Sequence, residues 1–334
     1  MRHYLEVIDQ VKPLINDNES YIIFNDGKPV ESNVGEGIDI TLDDPYDFNS
    51  YGYTISDEEK RISKLANMTT LITVSKSCKL KIIHICDDVE YINYQLEIMP
   101  RCDVYVTNLY LHVVSKAHIL FNTITHHLAN LHYLEVNSFN DDSIKYTNHH
   151  LSHHAKASFR NLYVNQRKSE NHNTVHLISL KDEVDLLDVV IQTNESEAIQ
   201  NTNVYHHSEG SISNFLAYGI AKGASKIFFD NNGTIENGAH ASILNQKTKG
   251  MILDEYSIIK ALPALYIDED DVSANHGASV GTINEDDLYY LMSRGLSKED
   301  SEKLLINAFI EPFFKGLDED NCTAFIRYII QKLV

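Results

Sequence analysis

The stretch CDVYVTNLYLHVV, residues 102–114, decides the fold class of this chain. Apolar and aromatic residues alternate with polar ones along it, and alternation over the length of a strand predicts half-buried β structure. Runs of similar texture follow one another from about Leu71, and no convincing helical period interrupts them before about Glu285. The chain is therefore predicted to be mainly β. The other runs are KLKIIHI, HILFNTIT, LHYLEV, SFRNLYV, TVHLISL, LLDVVIQT, NFLAYGI and KIFF.

The connections between these runs lack the residues of tight hairpins. No glycine occurs between Gly52 and Gly210, and no proline occurs between Pro100 and Pro263. Two-residue hairpins depend on Asn-Gly, Asp-Gly or Gly-X turns, whereas the bends here fall on Asn, Asp, Ser and His. Because single bends of this kind turn the corners of a solenoid, we predict a parallel β-helix. A β-sandwich is the alternative, since it also contains many short strands and no strict repeat is visible.

The order of these signals predicts three regions. Residues 1–70 form a mixed and partly helical region, in which residues 55–68 predict a helix capped by Ser56. Residues 71–283 form the β-helix core, and residues 284–334 form a small C-terminal helical region. Small-residue turns that resemble corners on successive coils are KGAS (222–225), NGAHAS (237–242) and HGAS (276–279).

Capping residues predict the helices of the C-terminal region. Asn284 can cap a helix over EDDLYYLMSR, and Ser297 can cap a second one with an acid three residues on. Pro312 should kink or end that second helix. A last helix is expected over about residues 321–332. The apolar face of the second helix is predicted at Leu304, Leu305, Ala308 and Phe309.

Composition excludes several classes of function. The net charge of -20 argues against binding nucleic acid through its phosphates and disfavours an anionic membrane surface. The N-terminus lacks the apolar core of a secretory signal, and no window approaches about 18 uninterrupted apolar residues. The four cysteines include no pair with a two-residue gap. We therefore expect a cytoplasmic protein with reduced thiols.

Two clusters invite a metal-site interpretation. NHHLSHH (148–154) places two pairs of histidines four residues apart, which suits one face of a strand or a helix, and such a pair can bind Zn²⁺ or Ni²⁺. No third ligand is evident, so a polar solvated face is the simpler interpretation. DEDD (268–271) resembles part of a Ca²⁺ site, but four adjacent acids are more typical of a solvated edge. No G-x-S-x-G or phosphate-binding G-x-x-x-x-G-K-[ST] motif occurs.

The segment 263–309 carries a resemblance to a known family. It contains DDV at 270–272, HGASVG at 276–281, LYYLMSRGL at 288–296 and LLINAF at 304–309. This order of motifs resembles the C-terminal signature of the SufB/SufD family of iron–sulfur cluster assembly proteins. The upstream NNGTIENGAHASILNQ (231–246) is also similar to the family's penultimate coil, so the resemblance covers about the last third of the chain.

The resemblance implies a right-handed parallel β-helix and a scaffold role without turnover of its own substrate. It implies pairing with a SufB-like subunit or a second copy of this chain, and docking of a SufC-like ABC-type ATPase on the C-terminal helices. Iron or an iron–sulfur cluster would be bound transiently, and no nucleotide would be bound by this chain itself. No cysteine occurs from Asp103 to Asn321, and Gly277 rather than Glu follows His276. Both features favour the SufD-like branch.

The resemblance also implies roles for individual residues. His276 stands where the family has its interface histidine and is the candidate ligand for iron or a cluster. Gly277 and Gly281 are expected to serve the backbone in sharp turns. The candidate ATPase contacts are Tyr290, Arg294, Gly295 and Phe309.

Two other functions remain as alternatives. A β-helix enzyme or binding protein acting on polysaccharide would need a long groove lined by aromatic and acidic side chains. A histidine-rich metal-binding protein would use the cluster at 148–154.

Overall fold

The computed structural model describes residues 11–15, 19–43, 56–66, 68–86, 91–113, 116–318 and 320–333. In that part of the chain, nineteen strands form two sheets. Sheet A contains β1 (Ser20–Asn25), β2 (Lys28–Asn33), β5 (Cys78–Ile85), β7 (Asp103–Val113), β9 (Asn130–Phe139), β11 (Lys156–Asn165), β13 (Glu183–Gln192), β15 (Ile212–Ala221), β17 (Ile243–Ile252) and β19 (Ser273–Thr282). Sheet B contains β3 (Ile38–Asp43), β4 (Thr69–Val74), β6 (Tyr91–Ile98), β8 (Ala117–Thr125), β10 (Ser143–Leu151), β12 (Lys168–Leu177), β14 (Glu197–His206), β16 (Lys226–Ile235) and β18 (Ile258–Ile267).

The chain winds as a parallel β-solenoid of about seven turns. From β5 onward consecutive strands alternate between the sheets, and each pairs in parallel with the strand two positions later. The mainly β class and the parallel β-helix predicted from the sequence are confirmed, and the sandwich alternative is excluded because antiparallel pairing is confined to β2 and β3 among the described strands.

The strand alternation places one row of side chains inside the coil and the next outside. In β11, Phe159 and Tyr163 face the interior and are fully buried. A second core lies outside sheet A, where Leu162 and Val189 meet the C-terminal helices. Because sheet A is covered on both faces where these helices pack, outward residues of its strands such as Leu162 and Val189 are apolar there.

Corners are formed by single residues in the left-handed region. His153 and Asn194 fit the predicted use of polar residues, but Leu128 and Lys181 adopt the same conformation, with φ of 56° for each. Positive φ angles are unfavourable for large side chains. They are imposed at these corners because the strands on both sides of each corner are held in parallel register. KGAS and NGAHAS are corners as predicted. HGAS is not a corner, because residues 276–279 lie inside β19.

The N-terminal strands belong to the solenoid rather than to a separate region. β1 pairs in parallel with β5, and β2 then covers the edge of sheet A in antiparallel fashion. β3 covers the edge of sheet B by pairing with β4. The predicted N-terminal helix is α1 (Asp57–Leu65), and Ser56 caps it through a capping box with Glu59.

The C-terminal helices are α2 (Glu285–Ser293), α3 (Lys298–Phe314) and α4 (Asn321–Leu333), and Asn284 and Ser297 cap the first two as predicted. Pro312 lies inside α3, which ends two residues later. The predicted apolar face of α3 was wrong for Leu304 and Ala308, which are exposed, and right for Phe309, which packs toward sheet A. The buried side chains are Ile306, Ile310, Phe313 and Phe314, which pack in the core outside sheet A. Among the described residues, no helix combines the length and the apolarity needed to span a membrane.

Candidate functional site

The last coil, β18 and β19, leaves one end of the solenoid uncovered, and we call these two strands the open end. Each is the terminal strand of its sheet, with a hydrogen-bonded neighbour on one side only among the described strands. Leu262 and Tyr266 on β18 are 68% and 58% exposed. They pair with Asp230 and Thr234 of β16 and therefore lie on the outer face of sheet B. The open end therefore combines free strand edges with exposed apolar side chains.

The direction of the free backbone groups follows from the register. Ser273 N donates to Ser242 O on the β17 side at 3.0 Å. In a parallel strand, successive residues direct their N–H and C=O groups to opposite sides. The backbone groups of Ala274, His276, Ala278 and Val280 therefore face the open edge.

His276 lies in the middle of β19, opposite Gln246 of β17. Ala274, two residues earlier, packs with Leu244 inside the coil. Side chains two residues apart share a face of a strand, so the imidazole of His276 is on the interior side, at the mouth of the solenoid. It is exposed because no further coil covers it. Among the described residues, no group of three or more His, Cys, Asp or Glu side chains is arranged to hold a metal ion.

The acidic run DEDD (268–271) is engaged by backbone. Glu269 Oε2 accepts a hydrogen bond from Gly238 N at 2.9 Å, and Oε1 accepts one from Asp270 N at 3.0 Å. These backbone donors lower the pKa of Glu269. Asp271 O accepts from Ala241 N at 2.7 Å. These hydrogen bonds hold the last corner against the corner of the preceding coil.

The two glycines of the family motif lie within β19 rather than in turns. A Cβ added at Gly277 or Gly281 would meet no heavy atom within 4 Å. At Gly233 inside the coil, an added Cβ would lie 2.5 Å from Leu244 Cδ1. Gly233 in a covered coil therefore has no room for a side chain, whereas Gly277 and Gly281 at the open end do.

The exposed helix α2 carries three of the predicted partner contacts at its C-terminal half. Tyr290 is 55% exposed, and the guanidinium carbon of Arg294 lies 5.2 Å from its ring centroid. Gly295 has a φ of 97° and its N–H donates to Met292 O at 3.0 Å. The glycine therefore ends the helix in the left-handed conformation, while Tyr290 and Arg294 remain on the surface.

Phe309 has a different environment from the other predicted contacts. Its ring packs edge-on against Tyr218 of β15, with centroids 5.2 Å apart. It is only partly buried and belongs to the core between α3 and sheet A. The structure therefore separates Phe309, which anchors α3 to the solenoid, from the surface residues of α2.

The histidines of NHHLSHH do not share a face. His149 points into the coil, where Thr123 Oγ1 lies 2.8 Å from its Nδ1 and Phe159 stacks on its ring at 3.7 Å. Burial lowers the pKa of His149 well below its usual value, and nearby Lys145 adds to the effect. His153 and His154 are at a corner, with φ of 58° and 61°. The convergent pairs that the spacing allowed are not formed by these residues. The simpler interpretation as a solvated face is wrong for His149 and His150, because both are buried.

His150 joins a different cluster that the sequence did not reveal. Its ring stacks on His176 with centroids 5.2 Å apart, on the outer face of sheet B. His176 Nδ1 lies 2.9 Å from His207 Nε2, and His207 Nδ1 lies 2.8 Å from Glu236 Oε2. Burial lowers the pKa of His176 to about 2 and that of His150 to about 4. These two imidazoles are therefore neutral, and the cluster is a hydrogen-bonded ladder across coils.

A polar ladder also runs inside the solenoid. Asn108, Glu135, Asn161 and Asp188 occupy the same register position on four successive strands of sheet A. Glu135 is ion-paired with Lys145 from sheet B, and both side chains are almost completely buried. Burial lowers the pKa of Lys145, and the carboxylate of Glu135 opposes that shift.

Asp188 is the second carboxyl group of this ladder. Asn161 Nδ2 and Gln200 Nε2 each donate to it at 2.9 Å. Burial raises its pKa to about 6, although these hydrogen bonds act in the opposite direction. Sequence reasoning missed the ladder because the sequence alone does not show whether a polar residue of a strand points into the coil or out of it. Only the strand register shows this. The signal was the recurrence of a polar residue once in each coil.

The comparisons with known proteins agree with this architecture. A family model described as "SUF system FeS cluster assembly, SufBD core domain" matches residues 69–309. The chain is 33% identical over 171 residues to the iron-sulfur cluster assembly protein SufD of Bacillus subtilis, covering 51% of this chain and 39% of that protein. It is 32% identical over 114 residues to an iron-sulfur cluster assembly SufBD family protein of Staphylococcus haemolyticus, covering 34% of this chain and 24% of that protein.

A SufBD family protein of Mycobacterium tuberculosis is 28% identical over 133 residues, which are 40% of this chain and 16% of that protein. The chain therefore matches less than half the length of each of these relatives. Because the family model matches more than half of its residues, the chain belongs to the SufBD family of the SUF iron–sulfur cluster assembly system.

Proposed function

We propose that this chain is a SufD-like scaffold subunit on which iron–sulfur clusters are assembled in the cytoplasm. It pairs with a SufB-type subunit or with a second copy of itself, and an ABC-type ATPase docks on its C-terminal helices. Membership of the SufBD family and the likeness to a protein named SufD support this proposal. The open end of the solenoid is the observation that carries it.

The open end supports pairing because both of its edges can accept another strand. An extended segment adds to a free sheet edge through main-chain hydrogen bonds, and side-chain pockets give the specificity. Exposed Leu262, Tyr266 and Val280 supply apolar surface next to those edges. At the other end of each sheet the terminal strand is β2 or β3, which is 6 residues long and paired antiparallel, whereas β18 and β19 are 10 residues long. A partner would therefore meet the solenoid at the last coil.

The position of His276 supports a role in holding iron at that junction. An imidazole is a suitable ligand for iron. A single imidazole is too few ligands for an ion or a cluster, since Fe–S clusters usually have four protein ligands. The remaining ligands would come from the paired subunit, so iron or the cluster is held transiently as cargo of the complex.

The exposed side chains of α2 and α3 support docking of the ATPase. Tyr289, Tyr290, Met292 and Leu304 leave apolar and aromatic surface uncovered on these helices. Exposed apolar surface of this kind is typical of an interaction site. The chain would bind no nucleotide and catalyse no reaction of its own, and the ATPase would supply the chemical energy.

The first test is a pull-down of the tagged full chain from its own host, with the co-purifying proteins identified by mass spectrometry. Recovery of an ABC-type ATPase together with a cysteine-bearing β-helix subunit is the expected result. Recovery of the ATPase alone would indicate pairing between copies of this chain. A chain recovered alone, at native expression and low salt, would contradict the proposal.

The role of His276 has a separate test in the assembled complex. His276→Ala should leave the melting temperature unchanged, because the side chain is exposed. The yield of iron–sulfur cluster, measured by absorbance and iron content, should fall. A wild-type yield from the variant complex would remove His276 from the site.

A further inference from the structure

A crevice lies along the wall of the solenoid, away from the open end. It is between the outer face of sheet A and the link that joins α3 to α4, and its volume is about 210 Å³. Tyr105, His132, Ser158 and Arg160 form its floor, and Leu317 contributes to its roof. This space is larger than a site for one or two ordered waters and fits a small molecule.

Strand register fixes the floor of the crevice. Tyr105 pairs with His132 and His132 pairs with Ser158, so these three side chains stand in one row across neighbouring strands. The rings of Tyr105 and His132 stack with centroids 4.3 Å apart and an interplanar angle of 13°. Arg160 follows Ser158 by two residues and therefore faces the same side. The ring of His132 therefore has Tyr105 on one face, and its other face looks toward Ser158, beside a hydroxyl and a guanidinium.

Arg160 is half-buried in this crevice. Its Nη1 donates to Phe313 O at 3.0 Å, near the C-terminus of α3. A guanidinium has five N–H donors, and in the described part of the chain no carboxylate forms an ion pair with this one. Burial lowers the pKa of Arg160, and the more distant Asp185 opposes this shift only in part. The positive charge of Arg160 is therefore incompletely compensated.

Three acids line the crevice. Asp320 accepts a hydrogen bond from Thr323 N at 2.8 Å, and the other two are paired with cations. Asp318 lies 2.8 Å from Lys79, and Glu19 lies 2.9 Å from Lys81. The carbonyl end of α3 offers Arg160 only a partial negative charge of about one half. A helix-capping role accounts for one hydrogen bond of Arg160. It does not account for the adjacent space or for the aromatic row beside it.

We propose that this crevice binds a small molecule with an oxyanion group. Its carboxylate or phosphate contacts Arg160 and the hydroxyl of Ser158, and its flat part lies on the face of His132 that looks toward Ser158. Guanidinium groups suit this task because they bind carboxylate and phosphate through two parallel hydrogen bonds. The site includes none of the residues proposed for pairing at the open end or for ATPase docking.

Isothermal titration calorimetry on the full chain tests the proposal. Benzoate, phenyl phosphate and inorganic phosphate are titrated separately at constant ionic strength, with chloride as the background anion. We expect saturable binding of benzoate or phenyl phosphate with Kd of about 0.1–1 mM, which corresponds to roughly 4–5.5 kcal/mol. The stronger of these two identifies carboxylate or phosphate as the preferred group. Inorganic phosphate should bind about tenfold more weakly because it cannot stack.

Arg160→Gln should weaken binding at least about tenfold, since it removes the charge-assisted hydrogen bonds. Arg327→Gln is the matched control, because Arg327 lies on α4 over the ring of Phe314, outside the crevice. Wild-type affinity in Arg160→Gln, or no saturable heat with any of the three anions, would overturn the proposal. Should Arg160→Gln fail to fold, Ser158→Phe fills the crevice without changing Arg160. Loss of binding there supports the site, and retained binding overturns it.

Discussion

The covered coil of β11 and β12 and the open end of β18 and β19 have the same strand length but opposite environments. In the covered coil, Phe159 and Val175 are fully buried between neighbouring coils. At the open end, the equivalent interior row contains Ala274, His276 and Ala278, and much of the coil is exposed. The difference shows that burial along a solenoid depends on the next coil and not on the strand itself. In the proposed complex, a paired subunit would cover the last coil.

The largest expected effect concerns the buried ion pair of the covered coils. Lys145→Met should destabilise the chain by about 3–5 kcal/mol, because it leaves the carboxylate of Glu135 buried without its cation. Urea denaturation monitored by circular dichroism measures this loss. The double variant Glu135→Gln with Lys145→Met should recover most of it, since no unpaired charge remains. Equal stability of the single and double variants would mean that the pair is not coupled in this way.

At the open end, a proline should act on pairing and not on folding. Ala278→Pro removes an N–H that faces the free edge, so the ladder to β17 stays intact. We expect the affinity for the paired subunit to fall by about 100-fold, or about 3 kcal/mol, with little change in the melting temperature. Ala278→Ser, which keeps the N–H, is the control. Native mass spectrometry of the complex distinguishes the two, and equal dimer fractions would argue against strand pairing at this edge.

Replacing a glycine should give a smaller difference in stability between a covered coil and the open end. Gly233→Ala should cost about 1–3 kcal/mol, because the new Cβ would approach Leu244 to 2.5 Å. Gly281→Ala should change the free energy of unfolding by less than about 0.5 kcal/mol, since nothing lies within 4 Å of its Cβ position. Thermal denaturation of the two variants in parallel provides the measurement. A larger cost at Gly281 than at Gly233 would contradict the difference in packing.

Acid should destabilise the covered coils through buried histidines. The ring of His84 stacks between Phe24 and Tyr110, and burial lowers its pKa to about 3, with a further contribution from Lys145. Below the unfolded value of about 6.5 the unfolded chain binds a proton that folded His84 does not, so stability is lost as the pH falls. The free energy of unfolding should therefore decrease between pH 7 and pH 5.

The variant His84→Phe tests this contribution, because it removes the titrating group. The decrease between pH 7 and pH 5 should become smaller by about 2 kcal/mol. Ile85→Val is the control, since this neighbouring apolar change should lower stability by a similar amount at both pH values. An unchanged pH dependence in His84→Phe would show that His84 does not contribute.

Much of the fold was predictable from local pattern. Alternating runs without glycine indicated a solenoid, and the caps at Ser56, Asn284 and Ser297 predicted where three helices begin. The N-terminal strands were not predicted to join the sheets, because pairing of β1 with β5 depends on residues about sixty positions apart. The exposed side of α3 was also mispredicted. Both of its faces contain apolar residues, and only packing against sheet A decides which one is buried.

The candidate site was predictable only in part. The motif around His276 was visible in the sequence, but its placement at the mouth of the coil follows from the register of β19 against β17. The histidines at 149–154 show the opposite case. Their spacing suggested convergence, yet His149 points inward and His150 outward, because adjacent residues of a strand face opposite sides.

The amino-acid sequence by itself determined the β-rich class, the helix starts and the family motifs, because these depend on neighbouring residues and short-range periodicity. Only the tertiary structure decided which strands end each sheet, which polar residues meet inside the coil, and which side chains surround Arg160. Those properties come from contacts between successive coils, between the two sheets and between sheet A and the C-terminal helices. They arise from winding the whole chain, so no local stretch of sequence contains them.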